Sequence, residues 1–129
     1  MPIFKQVKYN DLFKKDVKIL LKRFRTLEDD LKVFVDIQLK LFHKIKQDNG
    51  GIKQITGLKK EYPKVYKATK FACKSLKGQG GKSGLRLIYA YFEDEDVVEF
   101  IEMYYKGDQE NEDKERIKKY LSALFSDIQ

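Results

Sequence analysis

At 129 residues the chain has the length of one ordinary domain, enough to bury a modest core. Its 42% hydrophobic and 36% charged residues suit a folded protein with a busy surface, and no apolar run approaches the roughly 18 residues that span a bilayer. The formal charge of +7 is unevenly spread: Ile52 to Phe92 carries nine lysines and Arg86 against Glu61 alone, a net +9, so the remainder sums to −2.

The N-terminus lacks the apolar centre of a signal peptide, and the single cysteine, Cys73, excludes an internal disulfide or a Cys-based zinc cluster. A single cytoplasmic domain over residues 1–129, with no metal, no cofactor and no membrane partner, is the expectation.

Alternation from Ile3 to Tyr9 predicts a first strand. Asn10 can cap a helix from Asp11, with Val17, Leu20, Leu21 and Phe24 on one face. Thr26-Leu27-Glu28-Asp29 matches a capping box and opens a second, longer helix. There Leu31, Phe34, Val35, Leu41, Phe42 and Ile45 form the apolar stripe, and Asn49-Gly50-Gly51 ends it. The pair predicts an antiparallel helical hairpin.

Ile52 to Lys64, with Gly57 and Pro63, reads as a connecting loop. A strand from Val65 to about Leu76 follows, then a glycine-rich turn over Gly78 to Gly84 and a strongly apolar strand from Leu85 to Phe92. The acidic turn Glu93 to Asp96 leads into a strand from Val97 to Tyr105. These three strands predict an antiparallel meander. A closing helix is expected near Asn111, with Glu112 and Asp113 in its first turn and Ile117, Tyr120, Leu121, Leu124 and Phe125 as its stripe. The fold class is α+β.

Several constellations fail as chemistry. Gly81-Lys82-Ser83 lacks the earlier glycine of a phosphate-binding loop, since position 76 is Leu76, and a strand follows it. His43 is the only histidine, expected at the surface or the core edge, and it supports neither a metal site nor a nucleophilic triad. Cys73 is expected to pack as a small apolar residue, and Glu93 to Asp96 to form a solvated turn.

What remains is a basic, tyrosine-bearing meander, suited to a phosphate backbone and unstacked bases. Period 2 places Lys70 and Lys74 on one face of their strand, roughly 13 Å apart. Antiparallel pairing then brings Lys74, Arg86 and Tyr104 to Lys106 together at one sheet edge. Lys59, Lys60, Lys67, Lys77, Lys82, Tyr89 and Lys106 are the further candidates for contact with RNA. A lysine among other cations can have its pKa lowered and act as a base.

The run Gly84-Leu85-Arg86-Leu87-Ile88-Tyr89 resembles the Gly-x-Arg-x-Ile-Tyr strand of the RelE/ParE superfamily of toxins from toxin–antitoxin pairs. The stretch Tyr104 to Asp108, continued through Glu112 to Ile117, is similar to the tail of its RelE/HigB-like branch, and the order of elements agrees. The resemblance implies a RelE-like fold and a ribosome-dependent endoribonuclease that cuts mRNA by attack of its own 2′-hydroxyl. It also implies a cognate antitoxin, with the ribosome and mRNA as the other partners.

On the same resemblance Arg86 would hold the scissile phosphate, with Lys67, Lys70 and Lys74 as its basic second-strand positions. The aromatic position at the end of the last strand falls on Tyr104 or Tyr105, followed by Lys106. The family's histidine or glutamate base has no evident counterpart. The alternatives are a non-catalytic gyrase inhibitor of the same fold and a nucleic-acid-binding module that leaves RNA uncut.

Overall fold

The computed structural model describes residues 2–48, 50–76 and 82–126. Its elements run β1 (Gln6–Tyr9), α1 (Asp11–Leu20), α2 (Leu27–Val33) with a π-helical continuation (Phe34–Lys44), β2 (Ile52–Gln54), β3 (Lys64–Ala68), β4 (Leu85–Phe92), β5 (Val97–Tyr105) and α3 (Lys114–Ser126). The class is α+β, with one five-stranded sheet in the order β1-β5-β4-β3-β2. Only β1 lies parallel to its neighbour; β2 to β5 are antiparallel. None of the helices is long and apolar enough to cross a membrane among the described residues.

Alternation along the strands gives the sheet two different faces. Leu85, Leu87, Tyr89 and Tyr91 of β4 join Phe100, Met103, Phe13, Leu27, Leu31 and Leu39 in the larger core, beneath α1, α2 and the π-helix. Val65, Ile88, Ala90, Ile101 and Tyr104 join Ile117, Tyr120 and Leu121 in a smaller one, beneath α3.

The start of α1 and the bounds of β4 and β5 agree with the sequence pattern, although α1 ends at Leu20, short of Phe24 on its expected face; Asn10 caps α1 by accepting the Leu12 N–H at 3.0 Å. Elsewhere long-range contacts override local pattern. Thr26 precedes α2 but makes no side-chain cap. Its hydroxyl instead joins Asp30 at 2.7 Å and Ser75 at 2.8 Å, pinning the segment after β3 to the start of α2.

Beyond Val33 the helix widens, as the Ile45 N–H bond to the Lys40 carbonyl five residues back shows (3.1 Å). Burial then recurs at Leu31, Val35, Leu39 and His43, every fourth residue. The wider turn carries His43 into the core (6% exposed) and leaves Ile45 at 48%, reversing what a 3.6-residue period predicts. The helix stops at Lys44, before the predicted terminator, of which Asn49 lies outside the described residues.

Three strand assignments change, the first being that β1 begins at Gln6 rather than Ile3. Ile52–Gln54, read as loop, adds an outer strand to β3, so the expected three-strand meander has a fourth member. β3 itself ends at Ala68. Past it the ladder is broken by side chains: Arg86 takes the Thr69 carbonyl at 2.9 Å, and Asp30 takes the Lys74 N–H at 3.2 Å. Most of the glycine-rich turn, 78–81, lies outside the described residues, as does Lys77.

Candidate nucleic-acid interface

The site is built on the α3 face, where β4 begins and β5 ends. A register shift makes it possible. Ile88 pairs with Glu102 while Tyr89 pairs with Phe100, so Ile101 is an extra residue in β5, a β-bulge. The bulge puts Ile101 and Met103 on opposite faces, where plain alternation would put them together.

Backbone groups that a bulge leaves unpaired need partners. Asp16 of α1 accepts the Met103 N–H at 3.0 Å, and Arg116 of α3 donates to the Ile101 carbonyl at 2.5 Å. The two side chains then pair with each other at 2.8 Å.

The consequence is a division of labour between the adjacent tyrosines. Tyr105 turns to the helical side, its ring 5.3 Å from that of Phe24 and 4.9 Å from the Arg23 guanidinium carbon. Two glycines make room for that ring. A Cβ on Gly84 would meet it at 3.0 Å and one on Gly107 at 2.5 Å, which explains the glycines flanking both motifs. Tyr104 turns to the α3 face, directly across the strand from Arg86. Its hydroxyl is buried and meets the geometry of no hydrogen bond among the described residues, but the Lys67 ammonium stands near enough to oppose the rise in its pKa that burial causes.

Arg86 is half-buried and oriented by main chain, through the Thr69 carbonyl and the Leu85 carbonyl at 3.4 Å. No carboxylate pairs with it among the described residues. A guanidinium fixed by carbonyls yet not neutralised is well placed for a bidentate oxyanion.

One row along, Lys67 pairs with Ile88, and its ammonium stands 6.0 Å from the Tyr104 ring centre. It bonds Glu112 at 2.8 Å. Burial works against the ammonium, but Glu112 and Tyr104 outweigh it and hold the Lys67 pKa above its ordinary value. Burial likewise opposes the Glu112 carboxylate, and Lys67, with a backbone N–H and Lys114 in support, more than offsets it, so that group is held below its usual range. Lys67 is therefore a poor base and a good cation, contrary to the lowered pKa a cluster of lysines suggests.

The other candidates scatter. Lys70 is exposed on the segment after β3, its ammonium 3.7 Å from the Cβ position of Gly50. Lys74 is exposed beside α2, so the two do not share a strand face and Lys74 does not join Arg86. Tyr89 is fully buried on the helical side, its hydroxyl 2.8 Å from His43 Nε2, out of reach of any RNA. Lys60 packs its ammonium 4.8 Å over the Phe125 ring, while Lys59 and Lys82 are exposed. Lys106 is exposed, its N–H bonded to the Gly84 carbonyl at 2.8 Å.

Sequence reasoning missed Lys53, Glu102 and Glu112. Lys53 lies on β2 opposite Lys67, a like-charge pair that adds to the positive field. Glu102 is 3% exposed, accepting the Asp113 N–H at 2.9 Å and the Gln109 amide at 3.0 Å. That anchors the loop before α3. Asp113 then caps the helix by accepting the Arg116 N–H at 3.1 Å, so the helix starts at Lys114, and Glu112 bends back to Lys67. The tail motif's run of acids was visible, but its fold back onto the sheet was not.

No family model and no curated protein matches the chain. Among solved structures it is similar to a chain of the archaeal RelE–RelB complex from Pyrococcus horikoshii OT3, at 14% identity and a TM-score of 0.47. It is also similar to a conserved hypothetical protein from Helicobacter pylori, at 21% identity and a TM-score of 0.46. Each comparison covers 79% of this chain and 94% of the other.

Proposed function

We propose that the chain is the toxin of a toxin–antitoxin pair, of the RelE/ParE superfamily, and that it cuts mRNA on the ribosome without a metal. Arg86 holds the scissile phosphate, Lys67 neutralises the charge that grows on it, and Tyr104, its hydroxyl buried, positions these two cations from within the sheet. The RNA's 2′-hydroxyl attacks the adjacent phosphorus, giving a 2′,3′-cyclic phosphate and a 5′-hydroxyl. Cations aimed at the phosphorane are the chief requirement, and a ribosome that positions the message lowers the demand on the site. The expected setting is the cytoplasm, with a cognate antitoxin as the partner that restrains it.

The observation that supports this reading is the cross-strand pair of Arg86, unneutralised and fixed by carbonyls, with Tyr104. The motif resemblance of Gly84 to Tyr89 points the same way. Induced expression should arrest growth and shorten messages at codon boundaries in primer extension. Arg86→Ala should abolish both while the protein still melts as a cooperatively folded domain by circular dichroism; undiminished arrest in a well-expressed mutant refutes the assignment. Cleavage should also persist in EDTA on crosslinked ribosomes. Inhibition of supercoiling with uncut RNA would favour the gyrase alternative, and RNA binding without toxicity the binding module.

A further inference from the structure

The mechanism above lacks a base, and the carboxylates of the α3 face supply one by elimination. Glu99 is tied to the Tyr120 hydroxyl at 2.5 Å, beneath α3. Glu102 has both oxygens engaged, one by the Asp113 N–H and the other by the Gln109 amide. Asp16 is committed to Arg116 and Met103. Glu112 differs from all three. Its side-chain partner is Lys67, a cation that would itself turn towards an arriving phosphate.

Resting on the nuclease reading, we propose that Glu112 is the general base, and that Lys67 withholds it until a substrate phosphate takes Lys67 away. An RNA phosphate seated on Arg86 lies one row from Lys67, on the same face of the sheet. As the Lys67 ammonium swings to a phosphate oxygen, Glu112 loses its hydrogen-bonded cation, the main group that keeps its proton affinity low. The carboxylate then takes the proton from the 2′-hydroxyl, and O2′ forms a bond to phosphorus.

The bond from phosphorus to O5′ breaks, and the leaving oxygen takes a proton from Lys67. The products are the cyclic phosphate and the 5′-hydroxyl, with Glu112 protonated and Lys67 neutral. Their 2.8 Å contact returns the proton from carboxyl to amine and restores the starting ion pair. No water, metal or further acid is consumed.

The test compares binding with cleavage in Glu112→Gln, using a fluorescein-labelled RNA dodecamer for anisotropy and a programmed ribosome for cleavage. Loss of a general base should slow cleavage by about 100-fold or more. Removing a negative charge from a cationic cluster should leave RNA binding as tight as wild type or tighter. Glu112→Asp keeps the charge but retracts it by one methylene, so it should fold and lose less activity than Glu112→Gln.

A Glu112→Gln protein that cuts at the wild-type rate overturns the proposal while Arg86→Ala still tests the nuclease reading. A folded variant that loses binding and cleavage together makes Glu112 structural and overturns it too. Should Glu112→Gln fail to fold, Glu112→Ala decides, and wild-type cleavage by it refutes the base. If the wild-type protein cuts nothing, the nuclease reading falls and this proposal with it.

Discussion

The two faces of the sheet are made by alternate residues of the same strands, yet they are put to different uses. On the helical side Leu85, Leu87, Tyr89, Phe100 and Met103 are all buried, and the polar atoms there find partners, as His43 and Tyr89 find each other. On the α3 side Ile88, Ala90, Ile101 and Ile117 cover only part of the sheet. The rest holds Lys53, Lys67, Arg86, Glu102 and Glu112, with the buried Tyr104 hydroxyl making no hydrogen bond among the described residues. Stability is concentrated on one face, which leaves the other able to hold charge at low dielectric, where it is most effective.

The sharpest test uses adjacent residues on opposite faces. Leu87→Ala opens a cavity beneath the helices and should cost about 3 kcal/mol of unfolding free energy in urea titrations. Arg86→Ala, one position away, removes a half-buried head group held by carbonyls. It should cost less than about 1.5 kcal/mol in the same assay, since few surface-facing changes cost more. Equal losses at the two positions would erase the distinction between the faces.

The second test separates them by pH. Burial pushes the His43 pKa down to about 4, helped by Lys46 and Lys44, against an ordinary value of 6.5. The unfolded chain binds this proton first as pH falls, so the folded state weakens from about pH 6.5 towards pH 4 and is unaffected above 6.5. Between pH 7 and pH 5 the loss should be about 2 kcal/mol. His43→Gln can still bond Tyr89 but cannot titrate, and its stability should be flat over that window. A wild-type curve as flat as the mutant's would show that His43 is not buried neutral.

These residues also mark how far the sequence is legible. Asn10 as a cap, the bounds of β4 and β5, and the α+β class follow from local pattern, because capping and period 2 are local physics. The approach of Arg86 to the Tyr104 to Lys106 segment was legible from antiparallel geometry, but which tyrosine lies opposite it was not, because the bulge at Ile101 sets the faces. The burial of His43 was not, because a π-helix changes the period without changing composition. The end of β3 was set by Asp30 and Arg86, 44 and 17 residues from the atoms they bind. Glu112 reaches Lys67 across 45 residues, and no local pattern announces such a contact.

The bulge offers a smaller test. Asp16 rather than a neighbouring strand holds the Met103 N–H, so Asp16→Asn should weaken a charge-assisted bond and cost about 1 kcal/mol. The accompanying sign is local: hydrogen exchange at the Met103 amide should quicken more than at Tyr89 or Phe100. Unaltered exchange at Met103 would mean the bulge stands without its anchor.

The smallest expected effects lie in the tyrosine pair, where each change removes a single oxygen. Tyr104 shares its face with Arg86 and Lys67, so Tyr104→Phe should slow message cleavage by about tenfold, less than the roughly 100-fold expected of a group that transfers a proton. Its stability should stay within about 1 kcal/mol of wild type, since the hydroxyl lost is a buried one that makes no hydrogen bond among the described residues. Tyr105 lies on the other side, its ring between Gly84 and Gly107. Tyr105→Phe keeps that ring, and cleavage should match wild type. Gly107→Ala should be worse than either, because its methyl meets the ring at 2.5 Å and one of the two must move. Single-turnover rates for the two Phe variants decide the matter. If Tyr105→Phe is the slow enzyme, the bulge at Ile101 does not assign the tyrosines to their faces during the reaction.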